Sequence, residues 1–148
     1  PSCFNNQPWR FVVVQSEDAL EKAKTGLTDG NYWAKKAPLF VLVITKPDLD
    51  CQLKHEREYA FFDVGLATQN LMLQAVKEGL IAHPIAGFKP PILKETFDIP
   101  DDYTLLAVIV LGFPGDDSHL NDKHRESERS PRSRKPEDEV IMYNAWQS

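Results

Sequence analysis

The sequence is short of the residues that staple, cradle or anchor a chain. Cysteine is almost absent: Cys3 and Cys51 stand far apart, with no CxxC and no histidine at ligand spacing. Neither a disulfide framework nor a zinc knuckle is expected, and both cysteines read as free thiols. Glycine is scarce as well, at seven scattered residues. GxGxxG, the P-loop pattern, GxSxG and HExxH do not occur, which argues against Rossmann, P-loop, α/β-hydrolase and zincin chemistry. The longest apolar run, Leu105 to Gly112, falls far short of the ~20 residues of a membrane span, and no charged-then-apolar leader opens the chain. A soluble, cytoplasmic protein without a membrane partner is expected. Positive charge is in deficit: 17 Lys plus Arg face 22 Asp plus Glu, for a net charge of −5. That sign disfavours a nucleic-acid partner. The four histidines, His55, His83, His119 and His124, have no carboxylate at fixed local spacing, and the pairs Asp101-Asp102 and Asp116-Asp117 sit beside turns. No metal site and no catalytic acid–base side chain is expected.

What is present is the composition of one globular domain: 148 residues, 42% of them hydrophobic. Such a chain buries about 70% of its unfolded surface, enough for a core without staples. Trp9 to Gln15 reads as a strand buried on both faces. Ser16, followed by Glu17 and Asp18, caps a short helix running to about Thr25 before Gly26. Asp29-Gly30-Asn31 marks a turn, and Leu39 to Thr45 a central strand. From about Glu56 to Leu80, apolar residues recur at helical spacing, which predicts one long helix closed near Gly79. Ile81 to Phe88 contains a proline and a glycine and reads as a short strand or extended loop. Pro91 opens a short helix to about Phe97, and Thr104 to Gly112 is the strongest strand, again central. Asp116 to Glu139 is too polar for a core. Val140 to Trp146 turns apolar again and is expected to dock on its own sheet or on a partner subunit. Strands and helices alternate, so a layered sheet with helices on its faces is expected. The polar start, Pro1 to Pro8, leads directly into a strand, as if the chain began inside a larger domain.

Three segments stand apart from ordinary surface. In Pro1-Ser2-Cys3-Phe4-Asn5-Asn6-Gln7-Pro8-Trp9, amide and hydroxyl side chains lie on a proline-braced turn suited to a heteroaromatic edge. The same residues also suit an Asx-rich turn that satisfies its own backbone. Pro84-Ile85-Ala86-Gly87-Phe88 leaves room for a flat ligand, or is a simple edge-strand kink. Pro131-Arg132-Ser133-Arg134-Lys135-Pro136 holds three cations between two prolines, a phosphate clamp or a solvated basic run.

Taken in order, these segments resemble the nitroreductase family of flavin-dependent oxidoreductases. PSCFNNQPWRFVVV is similar to its Pro-Ser-x-x-Asn-x-Gln-Pro-Trp signature, and HPIAGF to its Pro-Ile-x-Gly-Phe turn. Asp63, Gly65 and Gln69-Asn70-Leu71 resemble its central helix, IPDDYTLLAVIVLGFP its last core strand, and PRSRKP its phosphate loop. The resemblance implies an α+β, three-layer fold with a mixed central sheet, helices on both faces and an intertwined homodimer holding FMN between its subunits. It implies that Ser2, Cys3, Asn5 and Gln7 approach the flavin from one subunit, while Pro84, Ile85, Ala86 and Gly87 line the ring from the other. Asn31 would reach the polar flavin edge, Arg132 and Arg134 would hold the phosphate, and a backbone N–H of Ala86 or Gly87 would support the flavin N5. Tyr59, Phe61 and Phe62 are either part of a substrate lid or helix-face packing. The implied activity is ping-pong hydride transfer from NADH or NADPH to a nitroaromatic, quinone or similar small-molecule acceptor. The cofactor carries that chemistry, which accounts for the missing catalytic side chains. The alternatives are a flavin-binding dimer without turnover and a small-ligand-binding domain unrelated to flavin. The family's opening helix and Arg-rich arm have no counterpart before Pro1. The single domain, 1–148, is therefore expected to be N-terminally incomplete, with Arg132 and Arg134 carrying the phosphate.

Overall fold

The computed structural model describes residues 1–146. After a 3-10 turn at Cys3–Asn5, valine-rich Arg10–Val14 extends as β1. Ser16 then caps α1 (Glu17–Thr25): its Oγ accepts the Ala19 N–H, Glu17 and Asp18 fill the first turn, and Lys22 and Lys24 the last. Both charge placements suit the helix dipole. A 3-10 segment, Asp29–Lys36, leads into β2 (Leu39–Thr45). A small ribbon of β3 (Gln52–Leu53) and β4 (Arg57–Glu58) precedes the long helix α2 (Tyr59–Lys77). β5 (Ile81–Ile85), α3 (Pro90–Thr96) and β6 (Thr104–Gly112) follow.

The main sheet has the order β1-β2-β6-β5. Every described pairing in it is antiparallel, Phe40 opposite Val110 and Ile85 opposite Val108 among them, and none is parallel as the expected mixed sheet would require. β2 and β6 are central, as their unbroken apolar runs require. Phe40, Leu42, Ile44, Val108 and Val110 face one side, where they join Leu20 and Ala23 of α1 and Leu93 of α3. Their neighbours Val41, Val43, Ile109 and Leu111 face the other, where they meet Val64 and Ala75 of α2. The strand period of two thus sends alternate residues into two cores and stacks helices on both faces.

Three expectations are corrected. β1 is an edge strand, not one buried on both faces: Val13 is exposed, because only one neighbour strand and one helical layer cover it. The long helix starts at Tyr59 because His55 and Glu56 take left-handed backbone, φ 64° and 57°, and close the β3–β4 ribbon. The cysteines are not free thiols. Cys3 and Cys51 form a disulfide, their Cα atoms 6.0 Å apart. The N-terminal turn folds against α2 and the Asp50–Cys51 segment, a proximity that sequence spacing does not encode. At the other edge, β5 carries Pro84, a position that tolerates the missing N–H.

The chain divides into two compact units, Pro1–Gly115 and Asp116–Ser148. The second has no buried residue in its helices, in keeping with its polarity, yet it holds α4 (Asp122–Arg129) and α5 (Glu137–Val140). Asn121 caps α4 by accepting the His124 N–H, and Arg129 pairs with Asp117 at 2.6 Å. Ile141, Tyr143 and Trp146 are exposed. No helix among the described residues is long and apolar enough to cross a membrane.

Candidate functional site

The N-terminal loop is held in an uncommon backbone. Phe4, Asn5 and Gln7 have φ of 48°, 59° and 52°, a region that costs non-glycine residues energy and persists only where surroundings impose it. Local ties supply part of that: the Gln7 N–H donates to Ser2 Oγ at 3.0 Å, and Gln7 Nε2 donates to the Asn5 carbonyl at 3.1 Å. Distant ties supply the rest. The Cys3 N–H donates to Asp63 Oδ2 at 2.7 Å, Asn6 Nδ2 donates to Asp50 Oδ1 at 3.1 Å, and the disulfide binds Cys3 to Cys51. Buried Pro8 is fixed by Thr45 Oγ1, which donates to its carbonyl at 2.9 Å. Phe4 and Asn5 are exposed, and the Asn5 side-chain amide bonds to nothing among the described residues. The Ser2 and Gln7 side chains therefore serve the loop, while Asn5 faces outward.

Beneath this loop lies a carboxyl pair. Asp63 is 2% exposed and Asp50 8% exposed. Burial holds the Asp63 carboxyl above its ordinary range; the Cys3 N–H opposes that shift, and the hydrogen bond and charge of Asp50 add to it. Asp50 Oδ2 is buried with no donor facing it among the described residues. A proton on Asp63 would supply the missing donor.

The second segment is built around one carbonyl. Gly87 O accepts the Thr28 N–H at 3.0 Å, Thr28 Oγ1 at 2.8 Å and Asn31 Nδ2 at 2.8 Å. A Cβ on Gly87 would collide with Asn31 Nδ2 and stand 2.7 Å from Thr28 Oγ1, so any larger residue must displace these two donors. The kink is thus a clamp, and Asn31 spends its amide donor on the chain itself. With the carbonyl turned toward Thr28 and Asn31, the Ala86 and Gly87 N–H groups donate to no described acceptor. Strand alternation exposes Pro84 and Ala86 but buries Ile85 in the core. The Ile85 side chain therefore cannot line a ligand, and only its backbone is available.

Arg132 and Arg134 lie in the second unit, both exposed, and neither pairs with a carboxylate among the described residues. Arg134 Nη1 donates to the Ser133 carbonyl at 2.8 Å, and neighbouring Lys135 pairs with Glu139 at 3.5 Å. A shallow cavity of about 560 Å³ on α3, lined by Pro91, Lys94, Asp98 and Ile99 among others, includes none of the candidate residues.

Sequence reasoning missed Thr28, Asp50, Cys51 and Asp63 as supports of the site. Asp63 carried a signal: a lone carboxylate between Phe62 and Val64 on a mostly apolar helix. Thr28 and Cys51 carried none, since their partners lie far away in sequence.

Comparison with known proteins identifies the family. Residues 27–113 match the nitroreductase family. An uncharacterized 15.4 kDa protein in the ask 5′ region of Mycolicibacterium smegmatis is 33% identical, over 93% of this chain and 97% of that protein. A protein of Archaeoglobus fulgidus, provisionally named NADH dehydrogenase/NAD(P)H nitroreductase, is 30% identical over 79% of this chain and 67% of its own. Among solved structures, an oxidoreductase containing FMN superposes with a TM-score of 0.85 at 34% identity, covering 99% of this chain and 76% of that one. The three-layer fold, the clamped Pro84–Gly87 segment within the matched region and these relatives together place the chain in the nitroreductase family.

Proposed function

We propose that the chain is an FMN-dependent oxidoreductase that acts as a homodimer and uses NADH or NADPH to reduce a nitroaromatic, quinone or similar flat acceptor. The observation that carries the proposal is the Gly87 clamp, which turns one carbonyl inward and leaves the adjacent Ala86 and Gly87 N–H groups without an acceptor among the described residues. The donor set fits the cofactor. The outward amide of Asn5 suits a polar ring edge, and Arg132 and Arg134, without carboxylate partners among the described residues, suit a phosphate. FMN, when bound, supplies hydride acceptance and donation at N5.

The chain's own residues bind and orient. Asn5 would offer its amide to the ring edge, and Ser2, Cys3 and Gln7 set the loop that carries it. The N–H of Ala86 or Gly87 would be the donor for N5, and exposed Pro84 and Ala86 would lie beside the ring. Arg132 and Arg134 would hold the phosphate, and Asn31 acts by fixing Gly87. Reductant and acceptor occupy one stacking surface in turn, which gives ping-pong kinetics, and holding each in place supplies proximity.

Support for the homodimer comes from exposed apolar surface. Phe62, Leu73 and Val76 of α2 are 61%, 57% and 61% exposed and share a helical face, as a face packed against a second copy would. The exposed tail residues Tyr143 and Trp146 suit an exchange between subunits. Steady-state oxidation of NADH and NADPH by the FMN-loaded protein, with a quinone or nitroaromatic acceptor, tests the reading. Parallel double-reciprocal lines are expected. A yellow protein that never turns over would make it a flavin binder without catalysis, and a protein that takes up no FMN would remove the flavin altogether.

A further inference from the structure

We propose that the Cys3–Cys51 pair is a reversible thiol–disulfide exchange site whose reduction frees the Ser2–Gln7 loop from the Asp50–Cys51 turn. Both cysteines are half-buried, and neither belongs to the core clusters that enclose the sheet. The bond joins two irregular segments, the left-handed N-terminal loop and the residue just before β3. Few other ties link them: Asn6 Nδ2 to Asp50 Oδ1, and a 3.7 Å contact from the same amide to Cys51 Sγ. Without the covalent link, the costly backbone of Phe4, Asn5 and Gln7 rests on hydrogen bonds alone. A bond placed between two such segments has a segment to release when it opens.

The surroundings also supply a proton relay. A carboxylate oxygen of Asp50 lies within 4.8 Å of both sulfurs, and Asp63, paired with Asp50, favours holding a proton. A thiolate of the dithiol attacks one cystine sulfur, forms a mixed disulfide and expels the other cysteine as a thiolate, which takes the carboxyl proton. The second dithiol group returns a proton to the carboxylate and attacks the mixed disulfide. Its own S–S bond closes, and the remaining cysteine leaves and takes up the proton given off by the first dithiol group. The cystine gains two electrons and two protons, and the dithiol loses the same.

The coupling to FMN rests on the flavin reading above, in which the Ser2–Gln7 loop presents Asn5 to the cofactor; on that reading the oxidised chain is the tighter binder. The test holds the full chain, under native conditions, at graded ratios of reduced to oxidised dithiothreitol. Thiols are trapped with iodoacetamide and counted by intact mass. They should rise from none to two and return on reoxidation. Amide hydrogen exchange over residues 2–7 should quicken on reduction, and the FMN Kd, read by fluorescence quenching, should weaken about tenfold. Cys51→Ser should show the reduced values at every ratio. A cystine that stays closed in the folded chain, at ratios that open it after denaturation, overturns the exchange site. Two thiols with unchanged hydrogen exchange overturn the release, and equal FMN affinity in both forms overturns the coupling. A chain that binds no FMN in either form defeats the flavin reading instead, while thiol count and hydrogen exchange still decide the switch.

Discussion

Gly87→Ala puts the clamp to the most direct stability test. The φ of Gly87 lies outside the left-handed region, so alanine is permitted by the backbone, and a less flexible unfolded chain would by itself favour the variant by about 0.4–1 kcal/mol. Against this stands the Cβ, which would collide with Asn31 Nδ2 and approach Thr28 Oγ1 to 2.7 Å. Neither side chain can withdraw freely, because each already donates to Gly87 O at 2.8 Å. Two hydrogen bonds, each worth about 0.5–1.5 kcal/mol net, are therefore at risk, a loss of about 1–3 kcal/mol. The loss exceeds the gain, and the net destabilisation expected is about 1–2 kcal/mol, or a fall in Tm of about 3–10 °C. Denaturant unfolding and differential scanning calorimetry of the FMN-free protein measure it. Asn31→Ala removes one of the colliding groups, so the double variant should lose less than the sum of the single losses. A Gly87→Ala protein as stable as the parent, or a strictly additive double variant, would refute the clamp.

Arg134→Ala should weaken FMN binding by about 1.5–3 kcal/mol, the worth of a charge-assisted bond, while the Tm of the FMN-free protein stays put; equal affinity removes the phosphate assignment. Asp63 titrates above its ordinary range because it is buried, so the folded chain keeps a proton that the unfolded chain has released. Its contribution is fully present below the unfolded carboxyl's range and is lost as pH rises through the folded value. Asp63→Asn, which can still accept the Cys3 N–H and can donate to Asp50 Oδ2, should flatten that loss in urea unfolding measured across pH; an unchanged slope counts against the carboxyl pair. Phe62→Lys combined with Val76→Lys should shift the protein toward monomer in size-exclusion chromatography with light scattering, and an unaltered dimer would place the interface elsewhere.

Legibility in the sequence followed locality. Leu39–Thr45 and Thr104–Gly112 were readable to the residue because both faces of each strand are apolar, and Ser16 marked the start of α1 through its own side chain. The edge position of β1 was not readable, since strand order depends on which surfaces remain to be covered. Polar composition concealed α4, which is held by the Asn121 cap and by Arg125 and Arg129 pairing with Asp117 instead of by a core. Within the site, the turns themselves were visible as Pro, Asn and Gly clusters. Their supports were hidden: the Cys3 N–H finds Asp63 60 residues away, Thr28 finds Gly87 59 away, and Cys51 lies 48 beyond Cys3. The burial of Ile85 follows from the strand period once β5 is placed, which the ambiguous proline-containing segment did not allow.

Sedimentation velocity monitored at the visible absorption band of flavin tests the central claim most directly. The account predicts that added FMN sediments with the protein, at the rate of a dimer and with one FMN per subunit. Colour left behind at the meniscus, or carried by a lone subunit, would contradict it.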